Sequence, residues 1–267
     1  MSKDANDITV KNIFTFIYAM TGIVKELHIF SNLSQLSEFA VQKWADISSL
    51  EVKKKGYFSV ALSGGKTPET LFRKLAGEKA FPWGKSHVFM VDERFVPYES
   101  DENNYHMINR TLLCHVSISP KNVHPILTSE ISPETAAEKY EKDMVAYCKT
   151  LRAKLPRFDL ILLGIGEDGH TASLFPGTPS LNETKHWAVS VCPPDSSKKK
   201  RITLTFPVIN NAENIIFMVE GKKKAAIIKE VIQDENDMLP AAMVRPCNGN
   251  IIFLLDEGAG SLIYEKK

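Results

Sequence analysis

The chain alternates between short, nearly unbroken apolar runs and longer stretches whose apolar positions recur every three or four residues. The short runs are rich in β-branched and aromatic residues. They predict strands at Leu27–Phe30, Tyr57–Leu62, His87–Val91, Asp159–Leu163, Trp187–Val191, Ile202–Phe206, Ile215–Val219 and Ile251–Leu255. Continuous apolar runs suit strands buried on both faces. Between them, Leu33–Leu50, Pro68–Ala80, Pro133–Leu155 and Lys222–Gln233 show helical spacing. Thr67-Pro68 and Ser132-Pro133 each set a capping hydroxyl before a first-turn proline. Strands that alternate with helices imply right-handed βαβ units. The expected fold is α/β: one doubly wound, mostly parallel, Rossmann-like sheet with helices on both faces. No repeat or linker divides it, so residues 27–267 are expected to form one domain behind an extension of residues 1–26.

That extension contains the apolar stretch Ile13–Val24. It is shorter than the roughly 20 residues that span a bilayer. Asp4 and Asp7 dilute the positive flank that a signal peptide would carry, and no small-residue cleavage site follows. The expectation is a segment that packs on the domain or frays, with no membrane association.

Composition narrows the classes without choosing a function. The 267 residues are 43% hydrophobic, which fits a globular protein and not a collagen-like or disordered chain. Against 33 basic residues stand 32 acidic ones, for a net charge of +1. A surface broadly dedicated to nucleic acid would show a large basic excess. Cys114, Cys148, Cys192 and Cys247 are widely spaced, with no paired ligands of a structural zinc site. Four reduced thiols in a cytoplasmic protein are expected, and no metal or cofactor.

Open parallel sheets bind ligands beyond the carboxyl ends of their strands, so candidate chemistry is sought there. After Tyr57–Leu62 comes Ser63-Gly64-Gly65-Lys66-Thr67-Pro68. Two glycines admit a sharp turn and close backbone approach, and the following helix directs free N–H groups at an anion. The spacing is not that of a nucleoside-triphosphate loop. After His87–Val91 comes Asp92-Glu93-Arg94, three charges that must be solvated, paired or functional at the end of a buried strand. After Asp159–Leu163 comes Gly164-Ile-Gly-Glu-Asp-Gly-His-Thr-Ala-Ser-Leu-Phe-Pro-Gly177. Its first six residues satisfy G-x-G-x-x-G, but Pro176, Gly177 and Pro179 forbid a long helix there. No acidic residue stands at Ala188–Val191, so a dinucleotide site is not expected. An acid/base site fits better: a histidine side chain, here His170, can accept and return a proton at neutral pH, and Asp168 is placed to orient it. Arg201, ending the run Lys198–Arg201, and Lys224, in Gly221-Lys-Lys-Lys-Ala225, add cations beside two further strands.

Taken together, these segments resemble the 6-phosphogluconolactonase family, within the larger group that includes glucosamine-6-phosphate deaminase. The resemblance rests on Ala61–Pro68, Val91–Arg94, Asn103–Tyr105, Leu162–Gly177, Arg201–Thr205 and Gly221–Ala225, and spans about Leu27 to the C-terminus. It implies hydrolysis of a phosphorylated sugar lactone, 6-phospho-D-glucono-1,5-lactone, in the oxidative pentose phosphate pathway. His170 resembles the family's general base, with Asp168 beside it. Ser63, Gly64, Gly65 and Thr67 match a phosphate-cradling loop, Arg201 and Lys224 match phosphate-binding positions, and Arg94 would face the sugar-acid end. Lys66 departs from the smaller residue usual in that loop. The resemblance implies no metal, no nucleic acid and no obligate protein partner. The deaminase branch resembles G-H-I-A-F-N-E-P-G, with a glutamate where this chain has Phe175. A deaminase and a non-catalytic sugar-phosphate binder are the alternatives.

Overall fold

The computed structural model describes residues 24–195 and 197–263. The expectations for residues 1–23 therefore lie outside the described residues. Among the described residues ten strands are present: β1 (Val24–Phe30), β2 (Phe58–Leu62), β3 (Ser86–Met90), β4 (Asp92–Arg94), β5 (Val123–His124), β6 (Leu160–Leu163), β7 (Ala188–Val191), β8 (Arg201–Leu204), β9 (Asn214–Val219) and β10 (Asn250–Asp256). Six α-helices accompany them: α1 (Leu33–Lys55), α2 (Lys66–Ala76), α3 (Asn104–Thr111), α4 (Pro133–Thr150), α5 (Phe206–Ile209) and α6 (Ala225–Ile232).

Seven strands form one parallel sheet in the order β1-β10-β9-β6-β2-β3-β5. All five residues of β2 and all four of β6 are buried, as their unbroken apolar runs require. The chain leaves β2 toward β3 and β5, but runs from β6 the other way, toward β9 and β10. Right-handed crossovers in opposite directions place helices on opposite faces. Thus α1 and α2 pack together on one face, while α4 and α6 belong to the other. The reversal falls between adjacent strands β2 and β6, which is where such a sheet opens a crevice.

The remaining strands depart from the single expected sheet. β4, β8 and β7 form a separate antiparallel sheet, joined to the end of β3 through Val91. Val91 donates to the Leu62 carbonyl at 2.9 Å and accepts from Leu204 N–H at 2.8 Å. The expected strand at His87–Val91 thus ends at Met90, because Val91 turns the chain out toward β4.

Boundaries also shift for local reasons. β1 starts at Val24, and its Val24–Glu26 residues are in register with Asn250–Ile252 of β10. Helix α1 continues to Lys55, where Gly56 at φ 89° accepts the left-handed turn that ends it. Lys222–Lys224 form a single 3₁₀ turn ahead of α6. The short α3 carries too little apolar periodicity to stand out. It starts on Asn103, whose side chain accepts from His106 N–H at 2.8 Å.

Candidate functional site

The carboxyl ends of β9, β6, β2 and β3, four neighbouring strands, carry the loops singled out above. Ser63 follows β2, and its buried hydroxyl has no hydrogen-bond partner. Gly65 sits at φ 111° and serves as the N-cap of α2 without any side-chain cap, so the first N–H groups of that helix stay available to a ligand. Thr67 lies in the same first turn, and Lys66 is exposed at its start. Gly64 is required for a different reason. A Cβ there would lie 1.9 Å from Asn104 Oδ1, so only glycine lets α3 brace the loop.

On the facing side of the crevice, β6 leads into the loop that holds His170 and Asp168. Their side chains are joined through His170 Nδ1 and Asp168 Oδ1, and His170 N–H also donates to that carboxylate at 3.2 Å. The imidazole is 28% exposed and its partner 50%. Partial burial pushes the Asp168 carboxyl up, but the His170 charge and hydrogen bonds outweigh this and hold it below the usual aspartate value. With Nδ1 committed to Asp168, the free ring nitrogen is Nε2, on which a neutral imidazole carries its lone pair. Two glycines of the apparent dinucleotide fingerprint, Gly166 and Gly169, serve this geometry. A Cβ on Gly166 would lie 2.1 Å from His170 Nδ1 and 2.7 Å from Asp168 Oδ1. Gly169 adopts φ 79°, a left-handed conformation that glycine takes at little cost. Phe175 lays its ring against the imidazole at 4.6 Å, and the Arg201 guanidinium lies 5.8 Å from the same ring.

The antiparallel sheet supplies the cations. Arg94 on β4 and Arg201 on β8 are direct cross-strand partners. Two guanidinium groups placed opposite each other repel, so anionic groups that reach either of them are favoured. Arg94 donates to the Glu102 carbonyl at 2.8 Å, yet Nε of each arginine is buried without a partner. Burial depresses the Arg201 pKa, and neighbouring Arg94 adds to that, while Asp92 opposes it. Lys224 approaches from the β9 loop and faces Glu167 of the histidine loop. Burial lowers its ammonium below the ordinary lysine value despite Glu167, Glu220 and Asp256.

Two supporting residues, Asn104 and Glu93, had no role assigned to them from the sequence. Asn104 donates to the Asp92 carbonyl at 2.9 Å, and the fully buried Glu93 carboxylate accepts N–H groups from Arg94, Asn104 and Tyr105 at 2.7–2.8 Å. Both lie in segments that the resemblance picked out, but only the fold reveals what they hold. A hollow of about 570 Å³ between α4 and β7 is lined by Glu134, Glu138, Glu141 and Glu183, which disfavours an anionic ligand there. Among the described residues no cluster of three or more His, Cys, Asp or Glu side chains is arranged to hold a metal ion.

Fold and site together define an α/β protein whose switch point sets an uncapped helix N-terminus and basic side chains beside an imidazole–carboxylate pair. The chain belongs to the Glucosamine-6-phosphate isomerases/6-phosphogluconolactonase family, which matches residues 31–253. A 6-phosphogluconolactonase of Synechocystis sp. is 39% identical over 211 residues, covering 78% of this chain and 86% of that protein. A probable 6-phosphogluconolactonase of Arabidopsis thaliana is 37% identical over 250 residues, covering 88% and 92%. The crystal structure of 6-phosphogluconolactonase from Thermotoga maritima superposes with a TM-score of 0.76 at 32% identity, covering 87% of this chain and 99% of that one.

Proposed function

We propose that this chain hydrolyses 6-phospho-D-glucono-1,5-lactone to 6-phospho-D-gluconate, a step of the oxidative pentose phosphate pathway. The domain from about residue 27 onward carries the activity. Its 6-phosphate sits against Ser63, the backbone of Gly64 and Gly65, Thr67, Arg201 and Lys224, and the sugar-acid end faces Arg94. His170 Nε2 takes a proton from water as that water attacks the lactone carbonyl, and Asp168 stabilises the imidazolium that forms. Backbone N–H groups or Arg94 stabilise the oxyanion, and His170 returns the proton to the departing ring oxygen. The reaction occurs in the cytoplasm, where three exposed free cysteines fit a reducing medium.

One observation favours the lactonase over the aminosugar-phosphate reaction. Phe175 packs its ring on His170, at the position where the deaminase pattern has a glutamate. The imidazole therefore has one carboxylate neighbour in Asp168, as a water-activating base needs.

The test is a coupled assay at neutral pH, corrected for the lactone's spontaneous opening, run beside an assay for ammonia release from glucosamine 6-phosphate. Acid formation well above the spontaneous rate, with no ammonia, is the expected result. Ammonia release, or tight sugar-phosphate binding without turnover, overturns the proposal. His170→Ala is expected to lower kcat by about 10²–10⁴-fold while leaving 6-phosphogluconate affinity near wild type. An unchanged kcat removes His170 from the mechanism.

A further inference from the structure

The His170 loop does not hold itself in place. Two residues beyond His170, Ala172 adopts φ 52°, a left-handed conformation uncommon for a residue with a Cβ. Such strain persists only where the surroundings over-determine it. The next residue, Ser173, is wholly buried and gripped at both its polar groups. Its hydroxyl donates to Asp92 Oδ2 at 2.6 Å, and its N–H donates to Thr203 Oγ1 at 3.1 Å. Asp92 and Thr203 are direct partners across β4 and β8. Two residues along each strand, on the same face of the pleat, the next such pair is Arg94 and Arg201. Asp92 Oδ2, which accepts from Ser173, also lies 3.9 Å from Arg201 Nη1. One rung of a two-strand ladder therefore grips the histidine loop, and the rung beside it carries the paired guanidiniums.

We propose that Asp92 is a positioning residue that sets the distance between the His170 imidazole and the Arg94–Arg201 anion clamp. The carboxylate does so by holding Ser173 and attracting Arg201 with one oxygen. It touches no reacting atom. The inference rests on the lactonase reading for the identity of the substrate, but not for the geometry.

Two variants separate the two contacts. Asp92→Asn keeps an acceptor for the Ser173 hydroxyl and removes the charge that faces Arg201. Ser173→Ala removes the hydrogen bond and leaves that charge. Asp92→Asn is expected to raise both KM and the dissociation constant of 6-phosphogluconate at least tenfold, with kcat within about threefold. Ser173→Ala is expected to lower kcat about tenfold, with that dissociation constant within twofold. In an Arg201→Ala background, Asp92→Asn is expected to add less than twofold to KM, because its partner is gone. A general loss of structure would shift KM and kcat together in both variants and lower the melting temperature. Calorimetric titration with 6-phosphogluconate reads the clamp without turnover. If the wild-type chain fails to hydrolyse the lactone, the function proposed above fails, and the titration still decides the role of Asp92. Asp92→Asn that binds 6-phosphogluconate within twofold of wild type overturns the inference. So does an undiminished effect of Asp92→Asn in the Arg201→Ala background.

Discussion

At the scale of single residues, the Glu93 carboxylate illustrates two opposed physical demands. It is fully buried, and desolvation pushes its pKa up to about 7, although three backbone N–H groups favour the ionised form. Its folded-state value thus lies above its ordinary value of 4.5. The folded protein binds the proton more tightly, so the contribution of Glu93 to stability is full below about pH 4.5 and is lost as pH rises through about 7. The difference is on the order of 3 kcal/mol. Glu93→Gln should therefore flatten that part of the pH dependence, and chemical denaturation of both proteins between pH 4.5 and 8 measures it. A wild-type-minus-variant stability that does not fall as pH rises would contradict this assignment. Asp168 has the opposite sign. Burial raises its carboxyl, but His170 holds it below the ordinary value, so its contribution is present above that value and lost as pH falls through the lowered one.

At the scale of elements, the loop after β6 shows what could be learned from the sequence and what could not. His170, Asp168 and the strand before them stand out by residue type and position, and the structure joins the two side chains. Gly164, Gly166 and Gly169 also stand out, as a nucleotide fingerprint that Pro176, Gly177 and Pro179 argue against. The purpose of Gly166 and Gly169 became visible only in three dimensions, since nothing in a linear pattern says that Gly166 faces the imidazole of His170. Gly166→Ala is expected to lower kcat about 10–100-fold by pressing a methyl group between His170 and Asp168, with a far smaller change in substrate affinity. Steady-state kinetics decide it, and a kcat within twofold of wild type would show that the loop yields. The separate β4-β8-β7 sheet was illegible for a related reason. Trp187–Val191 and Ile202–Phe206 have strand-like composition, but composition does not say which sheet a strand joins. Asp92-Glu93-Arg94 looked like a charged strand end. In the fold it is itself a strand, whose alternation sends Asp92 and Arg94 to one face and Glu93 to the other.

At the scale of the whole molecule, the two ends of the parallel sheet divide the work. The carboxyl ends carry the site, and the amino ends carry buried charge that has no part in it. Asp159, just before β6, pairs with Lys55 at the end of α1 and accepts from Ser59 N–H at 2.7 Å and Ser59 Oγ at 3.0 Å. Burial raises the Asp159 carboxyl above its ordinary value, although Lys55 and Ser59 oppose that. Removing one member of a buried pair strands the other. Asp159→Ala is therefore expected to cost about 3–5 kcal/mol in unfolding free energy while leaving kcat per folded molecule unchanged. Urea denaturation and active-site-normalised kinetics test this together, and a stable but slow variant would refute the division.

The near-zero net charge of the chain hides a local gradient with a consequence for turnover. Cations gather where the sugar phosphate would rest, whereas Glu167 and Asp168 put two carboxylates on the loop that carries the base. Hydrolysis of a lactone converts an uncharged ring ester into a carboxylate, so the product carries one more negative charge than the substrate. In the proposed pose that new charge forms at the end of the sugar that faces Arg94, so the guanidinium attracts the product more strongly than the substrate. On this reading the acid competes with the lactone for the crevice, and added 6-phosphogluconate slows turnover as a product inhibitor.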